Sequence, residues 1–195
     1  MLPVGSTLKR LGPALLRRLR LVYLRLRFPR AHIGAGCDIR SGLHLVLGPE
    51  ARLQIGDKCV LDRAMTIECH GALSVGSRTI FGHHCTLGVR DSLVIGEDCL
   101  LAEMVSVRDH DHRIDLLDVP IREQGAVSRP VSIGRNVWLG AKVTVVKGVS
   151  IGDNAVIGAN AVVTKDIPAN AIAVGIPAKV IGLRTHQHVE AGGAL

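Results

Sequence analysis

An aliphatic residue recurs every six positions along much of this chain, and that period decides what the chain can fold into. From Ile133 the series runs Ile133, Leu139, Val145, Ile151, Ile157 and Val163, with Gly next at 134, 140, 152 and 158. A small or β-branched residue often stands four places after the aliphatic one, as at Val137, Val143, Val149, Ala155 and Ala161. The first half carries the same unit more loosely: IGAGCD from Ile33, IGDKCV from Ile55, VGSRTI from Val75, FGHHCT from Phe81 and IGEDCL from Ile95. Six does not match the helical period of 3.6, and a short β-branched run followed by a glycine reads as strand and corner. One such unit cannot bury its apolar side alone. Three units closing into a triangle, with triangles stacked, bury a continuous aliphatic column. Ile133 and Ile151 are 18 residues apart, whereas Ile55, Val75 and Ile95 are 20 apart, so each early coil carries two extra residues at one corner. Residues 33–108 and 131–182 then supply about seven coils, a prism roughly 35 Å long at the spacing of stacked strands.

The composition agrees with such a column. Apolar residues make up 47% of the 195, yet only two Phe, one Tyr and one Trp are among them, alongside 22 Gly. Tight layers of Val, Ile, Leu, Ala and Cys are expected from that balance. Four of the five cysteines (Cys37, Cys59, Cys85, Cys99) fall on the small fifth position of a hexapeptide, and Cys69 stands apart. An odd number with no CxxC pair fits neither a disulfide framework nor a zinc knuckle, so these read as structural thiols of a reducing, cytoplasmic setting.

The net charge of +7 is concentrated at one end. Residues 1–30 carry eight basic side chains and no acidic one, and the rest holds sixteen basic against seventeen acidic residues. A nearly neutral body with few aromatic side chains argues against a nucleic-acid partner. Within residues 1–30, a basic amphipathic segment, Leu8, Leu11, Leu15, Leu19, Val22 and Leu26 follow helical steps. Pro13 interrupts them, so a helix is expected over about 14–27, with LRLRF (24–28) as a competing strand. Two roles are open to it: capping the unpaired edges at the prism's end, or lying peripherally on the inner face of the cytoplasmic membrane.

Residues 136–182, NVWLGAKVTVVKGVSIGDNAVIGANAVVTKDIPANAIAVGIPAKVIG, resemble the C-terminal signature of the hexapeptide-repeat acyltransferases. That family includes sugar O-acetyltransferases, xenobiotic acetyltransferases and enzymes that acetylate bacterial polysaccharides. The resemblance implies an all-β fold, a left-handed parallel β-helix over 31–182, with the basic N-terminal helix before it, a tail (183–195) after it and one protruding loop, 109–130. It also implies acetyl-CoA as co-substrate with no metal required, and a homotrimer with active sites between subunits. The implied acceptor is a saccharide or small molecule, with a sugar hydroxyl on a cell-surface polysaccharide or its precursor preferred.

The hexapeptide rule fails between Val107 and Val131, where a polar stretch too long for a corner opens with two histidines. Acyl transfer to a hydroxyl or amine needs a base of near-neutral pKa. HRID (112–115) resembles the xenobiotic acetyltransferases, in which a loop histidine before such a sequence is that base; the resemblance therefore assigns catalysis to His112, with His110 as second candidate. Glu103, Asp109 and Asp111 are the nearby carboxylates that would fix its tautomer, Glu103 being favoured. Many sugar acetyltransferases carry an acceptor-binding Asn in the preceding coil. His84 stands there in this chain, with His83 beside it, and Asp115 is a further acceptor candidate. By motif, Gly140 and Ala141 would meet the thioester and Ala159 the pantetheine arm. Thr164 and Lys165 would lie towards the nucleotide, Pro177 and Ala178 beside adenine, and Lys179 on a phosphate. Trp138 would touch a neighbouring subunit, the pantetheine or the prism itself. Two rival classes are a metal enzyme resembling the γ-class carbonic anhydrases, using histidines such as His84, His110 and His112, and a non-catalytic scaffold.

Overall fold

The computed structural model describes residues 12–185; Leu8 and Leu11 of the amphipathic series, and most of the tail, lie outside them. Three parallel sheets form the sides of a left-handed β-helix of about seven turns. Side A stacks β1 (Ala31–Ile33), β4 (Arg52–Ile55), β7 (Ala72–Val75), β10 (Ser92–Ile95), β15 (Val131–Ile133) and β18 (Ser150–Ile151). Side B stacks β2 (Asp38–Ile39), β5 (Val60–Leu61), β8 (Ile80–Phe81), β11 (Leu100–Leu101), β16 (Trp138–Leu139), β19 (Val156–Ile157) and β21 (Ala171–Val174). Side C stacks β3 (His44–Leu47), β6 (Thr66–Cys69), β9 (Thr86–Val89), β12 (Ser106–Arg108), β17 (Thr144–Val145) and β20 (Val162–Val163). Antiparallel β22 (Lys179–Leu183) closes the last coil against β21. The insertion leaves the stack intact, since Ile95 pairs directly with Ile133.

The hexapeptide positions now have physical meanings. Its aliphatic residue is a core column: Ile55, Val75, Ile95, Ile133 and Ile151 are all buried. The glycine after it sits where the next coil passes closest. A Cβ on Gly96 would lie 2.6 Å from the Gly134 backbone, and one on Gly140 would lie 2.7 Å from the Ala159 nitrogen. Two residues later the chain turns through the left-handed region, at Lys58, Arg78, Asp98, Asn136, Asn154 and Asn170 on one corner and Ala64, His84, Met104, Lys142 and Asn160 on the next. Such a conformation costs a non-glycine residue about 1 kcal/mol, least for Asn. The late coils use Asn there, and the Asn136 amide donates to Asn154, which donates to Asn170 (2.8 and 3.1 Å). The small fifth position points inward, and its thiol or hydroxyl bonds the next coil. Cys59 donates to the Gly76 carbonyl (3.2 Å), Thr79 to Gly96 (2.9 Å) and Cys99 to Gly134 (3.1 Å).

Helix α1 (Pro13–Arg27) begins with Pro at its first turn and ends with Arg25 and Arg27, which suit the negative end of the helix dipole. It lies against β1 and β2 and caps the open end, burying Leu24 and packing Leu21 and Phe28 on the core. Arg25 donates to the Ile33 and Gly34 carbonyls, strand-edge acceptors with no coil beneath them (2.7 and 2.8 Å), and Arg17 pairs with Asp38 (3.0 Å). The competing strand over 24–28 does not form, because those residues belong to α1 and its end.

Two outcomes are expected. Asn154→Ala should cost about 1–2 kcal/mol, through an unfavourable left-handed alanine and two lost amide bonds, read as a fall of several degrees in Tm. Brief alkylation at pH 8, followed by mass spectrometry, should label Cys37 first. The Cys59 side chain beside it lowers its pKa to about 7, whereas burial raises Cys69, Cys99 and, to about 11, Cys85.

Candidate active site

The long loop leaves side C after Arg108, and a buried carboxylate anchors its departure. In complete coils the corner amides donate to the coil above, as His70 does to Val89 (2.8 Å) and Ala72 to Asp91 (2.8 Å). Where the fourth coil departs, Arg90 and Asp91 would lose those acceptors. The Asp109 side chain replaces them: it accepts the Arg90 amide (2.8 Å) and the Asp91 amide (2.7 Å) with no exposure to solvent. Its first oxygen also meets His110 Nδ1 at 2.9 Å. The loop then forms a hairpin of β13 (His110–His112) and β14 (Ala126–Ser128). At its tip the Gln124 side chain donates to the Leu116 and Val119 carbonyls, 2.7 Å each. Lys147 pairs with Asp111 and ties the hairpin back to the fifth coil.

The two histidines alternate as neighbours on a strand should. His110 is half-buried, and its ring lies over Gly88 on the outer face of side C, where a Cβ at Gly88 would come within 3.3 Å of it. His112 is exposed, and no hydrogen bond from its ring is formed among the described residues. The carboxylate that meets a loop histidine is therefore Asp109, on His110, and the favoured Glu103 does not reach His112. Glu103 lies at the corner entering β12, and the histidines leave that strand's far end. Asp115 is exposed in the loop. Gly88 and Asp109 carry this local architecture. A glycine inside a strand pattern was the legible signal for the first; nothing in the sequence marked Asp109 above the other carboxylates.

Most of the remaining predicted residues fall along one edge of the prism, the corner between sides B and C. Ser41, Arg63, His83, Glu103, Ala141 and Ala159 stand above one another there, and each carbonyl but that of Ala159 accepts an amide from the next coil. His83 and His84 meet through their Nδ1 atoms at 2.8 Å, one donating and the other accepting. Above Ala159 the chain from Gly175 to Ala178 folds back onto β20, with the Ala178 amide donating to Val162 (2.8 Å). Gly140, Ala141, Ala159, Pro177 and Ala178 thus form a ridge of small residues. The Gly140 amide is spent on the Ile157 carbonyl (2.8 Å), whereas the Ala141 amide makes no backbone bond among the described residues. Lys179 opens β22, while Thr164 and Lys165 are exposed where the chain leaves β20, across side C from the ridge. Trp138 is half-exposed on side B, in register between Leu100 and Val156 and beside a cavity of about 490 Å³ lined also by Asn136, Ile172 and Arg184. Among the described residues no three His, Cys, Asp or Glu side chains converge as a metal-binding group.

Residues 130–165 match the family model for the hexapeptide repeat of succinyl-transferase. A probable acetyltransferase of Mycobacterium tuberculosis is 36% identical over 169 residues, covering 86% of this chain and 56% of its own length. Over its repeat the chain is similar to hexapeptide-repeat acyltransferases. Galactoside O-acetyltransferase of Escherichia coli is similar over the repeat, 43% identical across 31% of this chain and 30% of its own length. The chain thus spans little more than half, or less, of the length of the relatives just named. A hexapeptide-repeat acetyltransferase of Vibrio cholerae, solved with acetyl coenzyme A, shares its fold at a TM-score of 0.65, with 19% identity over 86% of this chain and 79% of the other.

Because the buried Asp109 carboxylate satisfies two corner amides, Asp109→Ala should destabilise by about 2–3 kcal/mol and lower Tm by several degrees. His112→Ala should leave Tm within about a degree of wild type, since that ring is exposed. Thermal melts of the two variants side by side check both.

Proposed function

We propose that this protein transfers an acetyl group from acetyl-CoA to a saccharide acceptor, at sites formed between the subunits of a homotrimer. The observation that supports this reading best is the ridge of small residues along one edge of the prism. Ala141, Ala159 and the 175–178 turn leave room for a thin extended molecule against the backbone, and Lys179 supplies a cation suited to a phosphate. The similarity to acetyltransferases, one of them solved with acetyl coenzyme A, agrees with that donor. The loop histidines leave the opposite edge of side C, five to six residues of extended chain from Ala141, on the order of 15–20 Å. A neighbouring copy that brings its loop against this ridge would close the distance, and the exposed apolar strip on side B around Trp138 is a surface for such packing.

In this reading His112 is the general base. Its imidazole takes the proton as the acceptor hydroxyl attacks the thioester carbonyl. The Ala141 amide is placed to donate to the developing oxyanion. Collapse of the tetrahedral intermediate breaks the carbon–sulfur bond, and the imidazolium returns the proton to the departing coenzyme A thiolate. A hydroxyl acceptor, on a polysaccharide or its lipid-linked precursor, is preferred over an amine. The similarity to galactoside O-acetyltransferase supports the hydroxyl, and the His83–His84 pair supplies polar groups where the acceptor would lie.

A second reading makes His110 the base, favoured by its hydrogen bond to the buried Asp109, which would fix the tautomer. Turnover of acetyl-CoA against a panel of sugars, with coenzyme A binding measured in parallel, separates the possibilities. His112→Ala should keep coenzyme A binding and lose about a hundredfold or more in kcat, with His110→Ala less affected. The reverse order would transfer the role to His110. Wild-type protein that neither binds acetyl-CoA nor turns it over would sink the transferase reading. Activity restored by added zinc would then favour the carbonic-anhydrase-like alternative, and normal assembly without activity would favour the scaffold.

A further inference from the structure

Helix α1 has two apolar faces, and the prism uses only one. Leu24, Leu21 and Phe28 face the core. On the far side Leu15, Leu19, Val22, Tyr23 and Leu26 stand exposed, Leu26 at 78%, at spacings of three, four and one that place them on one helical stripe. At about 100° per residue, Arg18 and Arg25 fall on one flank of this stripe and Arg20 and Arg27 on the other. The first acidic residue of the chain is Asp38. Since α1 covers the end of the prism, the stripe faces away from the prism.

A second feature lies beside it. Arg17, Arg20, Arg40, Ser41 and Arg63, with Leu16, line a shallow cavity of about 200 Å³ where α1 meets the first two coils. Asp38 and Asp62 pair with Arg17, Arg40 and Arg63, so four guanidinium groups face two carboxylates and the cavity stays positive. Ser41 and Arg63 stand at the foot of the corner that carries His83, Glu103, Ala141 and Ala159.

We propose that this end of the molecule docks on an anionic lipid bilayer, the stripe of α1 entering the headgroup boundary and the arginine cavity taking lipid phosphates. Apolar side chains between arginine flanks, with the amphipathic Tyr23 among them, have the composition of a helix lying in the interfacial plane. The stems of Arg18, Arg20 and Arg27 can lie along the apolar layer while their heads meet phosphate, Arg25 being held by the Ile33 and Gly34 carbonyls. A second copy is a poorer occupant, because a self-complementary contact through two such faces would set arginine flank against arginine flank. No described helix is long and apolar enough to cross a membrane, which is consistent with α1 lying on the surface. The prism then stands end-on, with the fourth and fifth coils roughly 15–20 Å above the lipid. This inference goes beyond the transferase reading and stands or falls separately from it.

The test is co-sedimentation of the full chain with vesicles of phosphatidylcholine alone or with about a third phosphatidylglycerol. Binding to the anionic vesicles is expected, weakened severalfold between about 0.1 M and 0.5 M salt. Leu19→Glu/Leu26→Glu, which leaves the docked face alone, should weaken it more than about tenfold with Tm unchanged. Should that variant misfold, Tyr23→Cys carrying an environment-sensitive dye should report a blue shift on adding anionic vesicles. Absence of binding and of the dye shift overturns the proposal, as does equal binding to neutral vesicles. If wild type ignores vesicles and the double variant shrinks its assembly in solution, the stripe belongs to a second copy.

Discussion

The closeness of successive coils is the constraint on which the rest of this structure depends. Neighbouring strands of a parallel sheet run about 4.8 Å apart, and here that spacing is imposed on corners as well as sides. Corner amides such as those of Gly56, Gly76, Gly96 and Gly134 donate directly to the carbonyls of the coil above, at 2.8 Å each. A side chain on those glycines would meet backbone, so the repeat tolerates no substitute there without displacement. The same ladder holds residues as ill-suited as Met104, Ala64 and Lys58 in the left-handed region, since many bonds determine a conformation that one residue alone would leave.

Where the ladder lacks a partner, side chains supply one. Asp57, Asp153 and Asp166 accept the amides of Ala35, Arg135 and Ser150, and Arg25 donates to the carbonyls at the open end. Asp109 belongs to this set. Its first task is to satisfy the corner amides of Arg90 and Asp91, and only the oxygen it shares with His110 links that structural task to the chemistry proposed for the loop. An insertion in a solenoid thus carries its own anchoring, which explains how the hairpin can be set on a rigid edge while its tip stays in solvent.

The rigidity that makes the ridge of small residues also keeps it from the loop of its own chain. Side C lies between the two, and its strands cannot shorten. An arrangement that needs both sets of residues must draw one of them from another copy. Likewise α1 cannot bury both of its apolar faces on one prism end: the face holding Leu24 is consumed there, and the opposite stripe must find its environment elsewhere.

The sequence by itself determined the architecture. The aliphatic residue every six positions, the glycine after it and the small inward residue are local expressions of one stacking geometry, so reading them yields sides, corners, coil number and the place of the interruption. It also placed Cys59, Cys85 and Cys99 in the core, and the helix near 14–27. Three matters were left to the tertiary structure, because each depends on what a side chain meets across coils far apart in sequence. Asp109, rather than Glu103, turned out to meet a loop histidine, because its position is the one that faces the orphaned amides 18 and 19 residues earlier. Of the positions that read as one helical face, Leu15, Leu19, Val22 and Leu26 point outward, because periodicity shows that a helix is amphipathic and not which side a partner covers. The gathering of four arginines from α1 and two corners into one cavity is likewise a product of stacking alone, since Arg17, Arg40 and Arg63 are neighbours only when coils lie one above another.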